Sequence, residues 1–125
     1  MEMPSVNAVC RELEAVFPDF EKWLLHDAIF CKSEGSFTYC GVFLELVHFL
    51  SDRPDQPGEV WRKLGNVVED MAKISSPAKI PRQDDLSEAV ELCFLETLGG
   101  YPEISENLRP FLSQESLRML DLDIG

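Results

Sequence analysis

Apolar residues recur three and four positions apart along most of the chain, the spacing of helices with one buried face. Between Ser5 and Phe17, Val6, Val9, Cys10, Leu13, Val16 and Phe17 share one side, while Arg11, Glu12 and Glu14 lie elsewhere on the circumference. Pro18 ends that helix, and Asp19 precedes a second over "FEKWLLHDAIF", whose apolar face is Phe20, Trp23, Leu24 and Phe30. The polar turn "CKSEGS" leads into the most hydrophobic segment, Phe37 to Leu50. Wound as a helix, it puts Tyr39, Val42, Phe43, Leu46, Phe49 and Leu50 on one broad face and Gly41, Glu45 and His48 on the other. After the loop "SDRPDQPG", the segment "EVWRKLGNVVEDMAKI" carries a stripe of Trp61, Leu64, Val68 and Met71 opposite a charged face.

"SSPAKIPRQD" breaks the periodicity and reads as a loop crossing the bundle. A fifth helix is expected from about Asp85 to Leu98, stopped by Gly99 and Gly100. Short helices follow at Pro102 to Leu112 and Ser113 to Leu122, the second with Ser113 as its N-cap. No segment alternates apolar and polar residues with β-branched enrichment, and no hairpin turn joins two such segments. The pattern therefore predicts an all-α fold: one domain over residues 1–125, a compact bundle of about five main helices with short C-terminal additions.

Within the fifth helix, "ELCFLETLGG" places Glu96 among apolar residues with no basic neighbour in sequence. This segment is apolar nearly all round, so it reads as the central helix of the bundle. Burying an unpaired carboxylate is costly. Glu96 is thus expected to be a buried structural anchor bonded to a donor such as His26, His48, an arginine or free backbone N–H groups. Trp23 and Trp61, at helical spacing among Leu and Phe, read as core rather than as binding hot spots.

Charge narrows the partners. The 125 residues include 23 Asp and Glu against 11 Lys and Arg, a net charge of −12, with 45% hydrophobic residues. That apolar fraction suits a folded domain, so the negative charge belongs to a folded surface. Such a surface repels nucleic acid and anionic lipid, and it attracts basic proteins. The opening "MEMPSVNAVC" lacks a basic n-region and an apolar h-region, so no secretory signal is expected. Cys10, Cys31, Cys40 and Cys93 form no CxxC or metal-type pattern and read as reduced core thiols in a cytoplasmic protein, with disulfides, which an even count of four allows, as the less favoured alternative.

Candidate chemistry is sparse. Glu45 and His48, three apart, form half of a carboxylate–histidine metal site with no second copy in the chain. No GxSxG elbow or phosphate-binding glycine loop occurs, so no catalytic residue, metal ligand or cofactor is assigned. The acidic residues fall into sets. Asp84, Asp85, Glu88 and Glu91 lie on the early turns of the fifth helix, Glu12, Glu14, Asp19 and Glu21 near the N-terminus, and Glu103, Glu106, Glu115, Asp121 and Asp123 near the end. Asp84, Asp85, Glu88, Glu91, Glu12 and Asp19 are the candidate contacts for a basic partner.

Taken together, "FPDFEKWLLHD", "FLELVHFLSD", "VVEDM", "ELCFLETL" and "LRPFLSQESLRMLDLDI" resemble a family of small, uncharacterised, all-helical bacterial proteins. Some members lie beside polymorphic toxins and are read as immunity proteins. The sharpest part is Cys93-Phe94-Leu95-Glu96 with Leu98, followed by Phe111, Leu112, Ser116 and Asp121; the tryptophan expected beside that aspartate is absent. The resemblance implies a non-enzymatic inhibitor that occludes a basic toxin. The alternatives are a helical-bundle metal protein or enzyme using Glu45 and His48, with Glu96 as a possible third group, and a dimeric structural or adaptor domain.

Overall fold

A computed structural model describes residues 5–26, 38–73 and 86–120, which are helices joined by turns with no strand among them. The helices are α1 (Val6–Val16), α2 (Phe20–His26), α3 (Tyr39–Ser51) and α4 (Gly58–Ala72), then α5 over residues 86–98, α6 (Pro102–Leu108) and α7 (Gln114–Leu120), with a 3₁₀ turn at Arg109–Phe111 before α7. The expected all-α architecture is present. The second helix is described only to His26, and residues 27–37 and 74–85, including the expected crossing loop, lie outside the described residues.

Local chemistry sets the helix starts. Ser5 Oγ accepts the Ala8 N–H at 3.1 Å, and Thr38 Oγ1 accepts the Gly41 N–H at 2.9 Å. Ser113 caps α7 as its sequence predicts, accepting the Ser116 N–H at 3.2 Å.

All seven helices contribute to one buried cluster, and α3 lies deepest in it. Phe43, Leu46 and Leu50 are fully buried, Val47 is buried with them, and so are Gly41 and Glu45 from the side expected to lie opposite the apolar face, while His48 on that side is half-buried. Each fully buried Leu or Phe contributes about 1.5–3 kcal/mol of transfer free energy. More of α3 than of α5 is buried, so α3 is the central helix, and only a stripe of Cys40, Leu44, His48 and Ser51 on it is left half-buried.

Helix α5 is irregular. It begins as an α-turn at Leu86–Glu88, widens into a π-helix over Ala89–Leu95, and returns to an α-turn at Glu96–Leu98. The wide turn shows in the Glu96 N–H, which donates five residues back to the Glu91 carbonyl. Ser87 Oγ ties the start of this helix to α4 by donating to the Ala72 carbonyl at 2.9 Å.

Helix α4 passes the 3₁₀ turn at Gly65. A Cβ at this position would stand 2.7 Å from Phe111 Cβ and 3.0 Å from its carbonyl oxygen. Gly65→Ala should therefore lower the melting temperature: overpacking against backbone costs about 1–3 kcal/mol, more than the roughly 1 kcal/mol of helix propensity regained. A thermal melt of this variant at or above wild type would refute that close approach.

Candidate functional site

A cleft of about 460 Å³ opens where the end of α4, the π-turn of α5 and the start of α7 meet. Helix α4 supplies Glu69 and Ala72 with Lys73 at its C-cap, α5 supplies Glu91, and residues 113–116, Arg118 and Met119 close the far side. Glu69 shapes the wall. Its Oε1 accepts the Ser113 N–H at 2.7 Å, so a carboxylate from α4 anchors the residue that caps α7. That bond is charge-assisted and short.

Glu69, Glu91 and Glu115 face the cleft together with Lys73 and Arg118. Arg118 stands 3.9 Å from Glu115, but both side chains are largely in water, where such a pair adds little stability. The arrangement provides carboxylates around an open recess, with no nucleophile–base pair among its described lining residues. It can receive cationic side chains.

Only some of the sequence candidates converge here. Glu91 lines the cleft, and Glu88 is exposed on the same helix. Glu12 and Asp19 are exposed on α1 and in the α1–α2 turn, away from the cleft, and Asp84 and Asp85 lie outside the described residues. Sequence reasoning passed over Glu69. It sits on the polar flank of the α4 stripe, and nothing in local spacing reveals that α7 begins against it.

The buried carboxylate is Glu45. Its side chain is 1% exposed and accepts the Trp23 indole N–H at 3.1 Å, across the α2–α3 contact. Glu96, expected to hold that role, is instead half-buried. The expectation wound α5 as a regular α-helix, and the π-turn rotates the residues that follow it. His48 is half-buried beside this core, and no group of three or more potential metal ligands occurs among the described residues. Trp61 is 2% exposed and satisfies its N–H on the Gln56 carbonyl at 3.1 Å, a core residue as expected. Trp23 is half-buried.

The cysteines depart from expectation. Cys40, in the first turn of α3, and Cys93, in the π-turn, form a disulfide with Cα atoms 5.4 Å apart, so this pair is not two reduced thiols. Spacing along single helices does not show which helices meet. Cys10 is a free, buried thiol raised to about 11 by desolvation and then by the nearby Glu14 charge; Cys31 lies outside the described residues. Glu14 is itself raised, first by burial and then by Glu21, with Arg11 opposing. Its contribution to stability is full below the ordinary carboxylate range and is lost as pH rises through the raised value.

No protein-family description, curated protein or solved structure matches this chain. Among the described residues, no helix is long and apolar enough to cross a membrane.

Proposed function

We propose that this chain is a non-enzymatic, acidic protein-binding domain of the immunity type, which occludes a basic partner, plausibly a toxin, in the cytoplasm. The observation that carries this reading is the meeting of Glu69, Glu91 and Glu115, against Lys73 and Arg118, at one cleft in a chain of net charge −12. Carboxylates on a rigid helical frame offer charge-assisted hydrogen bonds to lysine and arginine, and the surrounding field speeds the encounter. The sequence resemblance points to the same class of partner.

The test is binding to the basic product of a neighbouring toxin gene, measured by calorimetry across a salt series. Affinity should fall steeply as salt rises. Glu91→Lys and Glu115→Lys should each weaken binding by about tenfold at low salt, a loss of roughly 1.4 kcal/mol, while Glu12→Lys should change it little. Absence of a complex at low salt, or an affinity indifferent to salt, would count decisively against this function.

A further inference from the structure

The π-turn needs a cause. Its seven residues, "AVELCFL", contain no glycine or proline, and Ala, Glu and the two Leu are strong α-helix formers. Local sequence therefore favours ordinary α pairing, in which the Glu96 N–H would meet the Leu92 carbonyl instead of that of Glu91. Such a turn persists where tertiary contacts hold it. The packing against α3 does so, through contacts that include the Cys40–Cys93 bond and the Phe94 ring, 5.7 Å from Phe43 between centroids. Of these, only the bond can be opened chemically. Both cysteines are half-buried, within reach of a small thiol.

The turn also sets what the protein displays. Glu91 at its centre lines the cleft, and the next residue, Leu92, is 49% exposed, the most exposed large apolar side chain described. Returning the turn to α pairing changes the direction of both.

We propose that Cys40–Cys93 is a redox clasp: a dithiol reductant opens it, and the freed segment shifts from π toward α pairing, re-aiming Glu91 and Leu92. A reductant thiolate attacks one sulfur, forming a mixed disulfide and expelling the other cysteine as a thiolate. The second reductant thiol displaces the remaining cysteine, so the reductant leaves as its own disulfide. Two electrons pass to the protein, and both cysteines take up protons. A cytoplasmic setting would supply reductants of this class. The clasp itself does not depend on the identity of a partner.

The full chain, oxidised and then treated with dithiothreitol, gives the test. Alkylation with mass mapping should find Cys40 and Cys93 blocked before treatment and labelled after it, with Cys10 unlabelled throughout. Hydrogen exchange should then speed up by about tenfold at residues 91–99 while α1 and α4 keep their protection. Cys40→Ala with Cys93→Ala should reproduce the reduced pattern and ignore dithiothreitol; should that variant not fold, the two states of the wild type decide alone. Three results would overturn the proposal: a bond that resists excess dithiothreitol, unchanged exchange at 91–99 once the bond is open, or loss of protection throughout the chain.

Discussion

Phe49→Ala is expected to be among the most damaging single truncations in the protein, costing about 3–5 kcal/mol. The Phe49 side chain, 2% exposed, is met edge-on by three rings, with centroids at 5.6 Å for Phe17, 5.3 Å for Phe20 and 5.8 Å for Trp23. Arg53 covers it with its guanidinium carbon 4.2 Å from the ring centroid. Edge-to-face pairs add roughly 0.5–1.5 kcal/mol each beyond their area, so the loss should fall at the upper end of that range. One ring thereby joins the α1–α2 turn, α2 and α3. Urea denaturation measures the effect, with Leu92→Ala as the exposed comparison, expected to stay within about 0.5 kcal/mol of wild type. Equal midpoints for the two variants would contradict this packing.

The second large effect concerns the disulfide as a constraint on the unfolded chain. Cys40 and Cys93 are 53 residues apart, and closing a loop of that length removes about 4 kcal/mol of chain entropy. Native proteins commonly realise part of this figure. The Cys40→Ser, Cys93→Ser double variant should therefore lose about 2–4 kcal/mol and melt roughly 10 °C below the oxidised wild type. Calorimetry with and without dithiothreitol checks it, because reductant should lower the wild-type midpoint and leave the variant unmoved. Identical midpoints under oxidising conditions would mean that the bond is not formed in solution.

Helical spacing carried the architecture. The stripe of α4 and the cap residue Ser113 were both readable from single segments, because each depends on neighbours within one or two turns. What failed depended on other segments. Glu45 looked solvent-facing because Gly41 and His48 share its side, yet the buried face of α3 extends to it and Trp23 supplies the donor. Glu96 looked buried because a regular helix was assumed where the backbone follows a π-turn. The disulfide was hidden for the same reason that Glu69 was: each contact joins helices through the fold, and one sequence does not encode its pairings in its spacing. Of the described carboxylates expected as partner contacts, Glu91 alone lines the cleft.

The small bond from Ser87 to the Ala72 carbonyl has an evolutionary consequence. One hydroxyl, on a buried residue, holds the end of α4 against the start of α5. Position 87 therefore favours a small side chain that keeps a hydroxyl, and drift to alanine would forfeit the bond at a cost of about 1 kcal/mol.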